Sequence, residues 1–216
     1  MSIELLKESI TDTTLLGIAD KVNSKERITF EEGVYLFENA EVSYLGTLAN
    51  HIRERRHGNK TYFNKNFHIE PTNICVFDCK FCAYSKFLRN KADYDAWELS
   101  EEDIIDAIKA YEGKDITEVH IVGGVHPKMG LDYFKNLISK IKEIRPDLHV
   151  KAFTAVELDY MARKAKVSYE ECLTVLKDAG QGSLPGGGAE IFDKEIREQI
   201  CKDKCTGEEW LEMHEA

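Results

Sequence analysis

Three thiols stand close together in CVFDCKFC, residues 75 to 82. Cys75, Cys79 and Cys82 follow a C-x3-C-x2-C spacing. Structural zinc sites are closed by four ligands, as a rule in two separated pairs. Here the pairs overlap in one loop and no second pair lies nearby, although His68 could complete a set. A trio of core cysteines fits poorly, because Asp78 and Lys80 share the loop. An iron–sulfur cluster fits better: thiolates are its usual ligands, and three cysteines on a four-iron cluster leave one iron free to bind a small molecule.

The remaining cysteines read differently. Cys201 and Cys205 repeat the C-x3-C spacing, but no third cysteine follows and a charged KDK lies between them. Cys172 sits among Leu173, Val175 and Leu176 on an amphipathic segment and reads as core. One cluster is therefore expected, not two.

These cysteines need elements to position them. NFHIEPTN reads as a strand running into the cysteine loop. Because strand side chains alternate, Phe67 and Ile69 share one face and His68 and Glu70 the other. The apolar pair should meet outer helices, which turns His68 and Glu70 towards the interior as candidates for substrate contact or proton handling. A satisfied core histidine is the plainer alternative for His68. TEVHIVGG reads as a second strand ending at Gly123 and Gly124, where bare backbone could approach a ligand or simply make a tight turn. LHVKAFTAVE reads as a third strand, with Glu157 at its end reaching the same mouth. QGSLPGGGAEIF reads as a short strand and a glycine turn opening a helix, whose amides could hold an anion.

Helices alternate with these strands. Ser100 and Asp103 open one carrying Ile104, Ile105, Ile108 and Tyr111 on one side. LDYFKNLISKIKEI forms another, closed before Pro146, and Ser168 with Glu171 caps YEECLTVLKDA, which ends at Gly180. EIFDKEIREQI is read as a helix, and Thr206 with Glu209 opens a last one. Such alternation implies parallel strands with crossover helices, in a doubly wound sheet or a barrel. The first 60 residues read as helical instead. Thr29 and Glu32 form a capping box, and Leu45, Leu48, Ala49 and Ile52 follow at helical spacing. The basic run Arg53, Arg55, Arg56, His57 reads as a solvated helix end rather than a carboxylate site.

Composition narrows the partners. The 216 residues carry 39 acidic against 29 basic side chains, a net charge of −10. That disfavours nucleic acid and anionic membranes, both of which select basic surfaces. No apolar run of about 18 residues is present to span a bilayer, and the N-terminus lacks the basic start and apolar stretch of a signal peptide. A cytoplasmic location is expected, where six cysteines stay reduced.

The C-x3-C-x2-C loop, with the aromatic Phe81 before its last cysteine and a strand directly before its first, resembles that of the radical S-adenosylmethionine enzymes. The resemblance implies a [4Fe-4S] cluster on Cys75, Cys79 and Cys82, with S-adenosylmethionine chelating the fourth iron. It implies cofactor contacts from Phe81, Gly123, Gly124 and Glu157, and from Ser183 and Glu190 in SLPGGGAEIF, for which backbone flexibility is the alternative. FHIEPTNICVFDCKFCAYS, EVHIVGGVHP, HVKAFTAVE and SLPGGGAEIF together are similar to the branch of that superfamily on the futalosine route to menaquinone. That likeness implies a transferase acting on an aromatic enol-ether substrate, with flavodoxin or ferredoxin as electron donor. The dehypoxanthine cyclase of the same route and the tyrosine-using deazaflavin synthase are competing relatives. One departure stands out: Gln181 and Gly182 occupy the place of an expected Leu-Asp pair.

The expected architecture is α/β: an N-terminal helical segment over residues 1–62, then a partial (βα) barrel of about four units over residues 63–216. A closed eight-unit barrel takes about 250 residues, so the chain is expected to be truncated at its C-terminus.

Overall fold

A computed structural model describes residues 3–90, 92 and 95–216. The chain divides into two compact units, Met1–Phe63 and Asn64–Ala216.

Among its described residues the first unit holds four helices: α1 (Ile3–Glu8), α2 (Thr13–Ser24), α3 (Phe30–Asn39) and α4 (Val42–His57). Its core gathers Leu15, Ile18, Ala19 and Val22 of α2 with Tyr44 and Leu48 of α4. Asp12 caps α2 and also accepts from the Tyr35 hydroxyl at 2.7 Å, tying α3 to the start of α2. The capping box of Thr29 and Glu32 is present. The buried stripe of α4 differs from the one its spacing suggested. Tyr44 and Leu48 are buried, Leu45 and Ile52 partly so, and Ala49 faces solvent. The basic end of α4 is exposed, with Arg55 donating to the Val22 carbonyl at 3.1 Å.

The second unit is built on a parallel sheet of β1 (Asn66–Ile69), β2 (Glu118–Ile121), β3 (His149–Ala152) and β4 (Gln181–Ser183), in the order β1-β2-β3-β4. Helices α5 (Glu101–Lys109) and α6 (Leu131–Ile144) follow the first two strands, and α7 (Ala155–Ala165) and α8 (Tyr169–Ala179) separate β3 from β4. After β4 come α9 (Lys194–Cys201) and α10 (Gly207–Glu215). Phe67, Ile69, Val119, Ile121, Val150 and Ala152 project from one face of the sheet into a core with Ile104, Ile108, Leu137, Ile138, Leu158 and Leu176. The other face carries Asn66, His68, Glu118, His120, His149 and Lys151. A doubly wound sheet would need apolar residues on both faces. Sequential order with one polar face is the start of a barrel wall.

Two element boundaries differ from the sequence expectation. HVKAFTAVE is a strand only to Ala152: Thr154 caps α7, with Glu157 as its capping-box partner, so Glu157 sits in a helix and not at a strand end. The Thr154–Glu157 pair outweighs the β-branched composition there. The helix expected from Glu190 begins at Lys194, because Asp193 caps it and accepts from the Ile196 amide at 2.9 Å. The glycine turn is therefore a loop of its own, and its amides do not open the helix. The other capping boxes, Ser100–Asp103, Ser168–Glu171 and Thr206–Glu209, are formed, and Gly180 closes α8 in the left-handed conformation. Among the described residues no helix is long and apolar enough to cross a membrane.

Candidate cluster and cofactor site

The cysteine loop leaves β1 and is held by its own polar residues. Thr72 and Asn73 are both 1% exposed. The Thr72 hydroxyl donates to the Trp97 carbonyl at 2.7 Å, and the Asn73 side chain bonds the Asp95 carbonyl and the Trp97 amide at 2.8 and 2.9 Å. The Cys75 amide donates to the Lys86 carbonyl, and the Val76 amide to Val125 beyond β2, at 2.8 and 2.9 Å. Gly124 donates to Thr72 at 2.7 Å. Here the glycine is required: a Cβ on Gly124 would stand 2.4 Å from the Ile74 carbonyl oxygen, and one on Gly123 2.8 Å from that of Thr72. A third attachment lies downstream, where the Lys80 amide donates to the Ile200 carbonyl at 2.9 Å.

One cleft brings the candidate residues together. It is lined by Cys75, Cys79 and Cys82 with Phe81, Gly123, Gly124, Glu157 and Glu190, joined by Tyr84, Ser85, Thr154 and Lys204. His68, Glu70 and Ser183 are outside this lining. His68 is exposed on the polar sheet face, its ring 4.7 Å from that of His120. Glu70 accepts from the Tyr84 hydroxyl at 3.3 Å and so meets the cleft only through Tyr84. Ser183 bonds the His149 ring at 2.8 Å. The neighbouring Gly182 leaves room for that ring, since a Cβ there would lie 2.4 Å from it.

The thiols are not equivalent. Burial pushes the Cys75 thiol up, and pushes Cys79 to about 11 against the pull of the nearby Lys204 cation. Burial acts on Cys82 too, but hydrogen bonds from Ser85 and the Tyr84 amide, with Lys204 nearby, outweigh it and hold the thiol below its ordinary value. Glu157 is buried, 6% exposed, at the wall of the cleft. Its carboxylate accepts from the Thr154 amide at 2.7 Å, the Thr154 hydroxyl at 2.9 Å and the Gly123 amide at 3.3 Å. Burial nevertheless dominates and pushes the carboxyl up to about 7. Its bond to Gly123 ties α7 to the end of β2.

The family profile described as Radical SAM superfamily matches residues 69–216. The chain belongs to that superfamily. It is 39% identical over 205 residues to an aminodeoxyfutalosine synthase of Thermus thermophilus, covering 95% of this chain and 54% of the relative. It is 37% identical to a 5-amino-6-(D-ribitylamino)uracil–L-tyrosine 4-hydroxyphenyl transferase of Methanothermobacter thermautotrophicus, covering 88% of this chain and 52% of the relative. The chain thus spans about half the length of the curated relatives it matches. The X-ray structure of the FeFe-hydrogenase maturase from Carboxydothermus hydrogenoformans shares the fold at a TM-score of 0.68 and 19% identity, over 99% of this chain and 47% of that one.

Radical SAM membership implies a four-iron cluster and S-adenosylmethionine, and the residues present fit them. Three thiols line one cleft, and bare glycine backbone borders it at the end of β2. Among the described residues, no three Cys, His, Asp or Glu groups converge on a single metal ion. A cluster, which takes one thiolate per iron, does not need such convergence.

The sequence reading passed over two residues of this cleft that matter: Lys204, inside the KDK set aside with Cys201 and Cys205, and Thr154, whose capping pattern with Glu157 was legible. Tyr84 follows the last cluster cysteine by two positions and carries no pattern of its own.

Proposed function

We propose that this chain is the cluster-bearing part of a radical SAM transferase of the aminodeoxyfutalosine synthase type. The reaction joins the adenosyl part of S-adenosylmethionine to 3-[(1-carboxyvinyl)oxy]benzoate, releases methionine and carbon dioxide, and gives 6-amino-6-deoxyfutalosine on the futalosine route to menaquinone. The observation that carries this reading is the 39% identity to such an enzyme across 95% of the chain, together with the three thiols in one cleft.

Cys75, Cys79 and Cys82 would hold the cluster, and when bound it would supply the electron that splits S-adenosylmethionine into methionine and the 5′-deoxyadenosyl radical. The chain's own residues prepare that site. Gly123 and Gly124 let the cysteine loop seat against the end of β2 and border the cleft with bare backbone. Glu157 orients the Gly123 amide and can carry a proton near neutral pH, which suits it to meet either an amine or a carboxylate of a cosubstrate. Phe77, Val125 and Val156 are buried beside the thiols and keep water from that wall. His68 and Glu70 belong to the substrate side of the wall in this reading, on the polar face of the sheet. Flavodoxin or ferredoxin would serve as the electron donor.

The likeness to the tyrosine-using transferase favours a second reading, in which the same site acts on L-tyrosine and 5-amino-6-(D-ribitylamino)uracil. Mass spectrometry separates the two. Anaerobically reconstituted, reduced protein would be given S-adenosylmethionine with each substrate set. The first reading expects 6-amino-6-deoxyfutalosine from the enol ether and nothing from tyrosine; the reverse pattern would refute it.

A further inference from the structure

The turn between α9 and α10 closes one side of the cleft that the three thiols line. Cys205 is buried with Phe77, Val125 and Val156. Arg197, 6% exposed, donates from Nε and Nη2 to the Cys205 carbonyl at 3.0 and 2.6 Å. Its Nη1 donates to the carbonyls of Ala189 and Ile191. One guanidinium thus fixes both neighbours of Glu190 and the residue after Lys204. Glu190 is held at φ +56°, a left-handed conformation that a non-glycine residue keeps only when its surroundings enforce it. Lys204 has a side chain only 10% exposed, with Nζ 2.7 Å from Glu190 Oε1 and 5.1 Å from the centre of the Phe81 ring. Phe81 directly precedes Cys82. Lys204 and Glu190 line the same cleft as the three thiols, with Lys204 nearly enclosed and the Glu190 side chain 31% exposed, whereas Asp78 and Lys80 on the cysteine loop are exposed and outside that lining.

We propose that Lys204 and Glu190 form a built-in charge pair that sets the reduction potential of the cluster held by Cys75, Cys79 and Cys82, with Lys204 favouring the reduced state and Glu190 offsetting it. This rests on the cluster-bearing reading above. Reduction adds one negative charge at the cluster. A cation held within a poorly hydrated cleft favours that charge, and a carboxylate opposes it. Both act as positioning groups for the cluster's electrostatics and neither is a ligand to iron.

The test is a potentiometric titration of the reconstituted protein, followed by electron paramagnetic resonance. Lys204→Met is expected to lower the midpoint potential, so that a smaller fraction of cluster is reduced at a fixed applied potential. Glu190→Gln is expected to raise it, and Lys204→Arg to leave it near wild type. Opposite shifts from the two charge-removing variants support the pair, because a merely loosened cleft would move both in the same direction. Unchanged midpoints, or shifts of the same sign, overturn it. Should Lys204→Met fail to take up iron, Glu190→Gln and Lys204→Arg still decide: an unshifted Glu190→Gln midpoint refutes the proposal. Wild-type protein that binds no cluster would instead refute the cluster reading itself.

Discussion

Gly124 lies against Ile74 so closely that a Cβ on it would stand 2.4 Å from the Ile74 carbonyl oxygen. Its amide meanwhile donates to Thr72 at 2.7 Å. The cysteine loop is therefore seated on the end of β2 by backbone against backbone. A flexible side chain could give way; a carbonyl fixed by a neighbouring hydrogen bond gives way only with the loop.

Gly124→Ala should consequently lower stability by about 1–3 kcal/mol, the usual range for overpacking. It should also reduce iron uptake, because Ile74 adjoins Cys75. Urea unfolding of the apo protein and iron content after reconstitution check this. Wild-type values in both would show that the loop shifts freely.

On the proposed reading, Cys75, Cys79 and Cys82 are the cluster ligands and the buried Cys172, Cys201 and Cys205 are packing groups. Replacing Cys75, Cys79 or Cys82 singly by alanine should remove most of the brown iron–sulfur absorption. Cys201→Ala should retain it, although Cys201 is 2% exposed and its neighbour Ile200 bonds the cysteine loop. Loss of the cluster in Cys201→Ala at unchanged folding would place that thiol among the ligands.

Glu157 gives the apo protein a defined pH response. Its carboxyl is pushed from an ordinary value near 4.5 up to about 7 by burial. The native state therefore binds a proton that the unfolded state has released between these values, and stability falls as pH rises through that window. The expected loss from pH 5 to 8 is of order 1–3 kcal/mol, given 1.4 kcal/mol per pH unit of displacement. Chemical denaturation of the wild type across this range should show the slope, and Glu157→Gln should flatten it. A wild type whose stability rises over the same interval would contradict the assignment.

Arg197 holds three carbonyls across the glycine loop and the α9–α10 turn. Arg197→Met keeps the buried stem but leaves those oxygens without a donor. It should cost about 2–4 kcal/mol, since the buried Cys205 carbonyl loses roughly 1–3 kcal/mol and the part-buried Ala189 and Ile191 carbonyls, which water can reach, lose less. Thermal unfolding measures the loss. A change within error would mean that solvent reaches the Cys205 carbonyl as well.

Much of this was legible because it depends on local chemistry. Alternation placed Phe67 and Ile69 against the helices and His68 on the opposite face. Ser-x-x-Asp and Ser-x-x-Glu pairs located the starts of α5 and α8. The errors arose where two local signals competed. HVKAFTAVE has strand composition throughout, yet Thr154 and Glu157 turn its second half into a helix and bring Glu157 to the cleft by another route. Asp193 likewise delays α9 and frees Glu190 to meet Lys204. What could not be read was long-range. Nothing near Arg197 in sequence announces that it binds Ala189, Ile191 and Cys205, and the KDK turn looks like solvated charge until the fold sets Lys204 over Phe81.

The central claim is that Cys75, Cys79 and Cys82 hold a four-iron cluster with one iron open to S-adenosylmethionine. The direct measurement is electron paramagnetic resonance of anaerobically reconstituted, reduced protein with and without S-adenosylmethionine. The account predicts a four-iron signal whose g-values change when S-adenosylmethionine is added. A cluster signal indifferent to it, or colourless protein that retains zinc in place of iron, would contradict the claim.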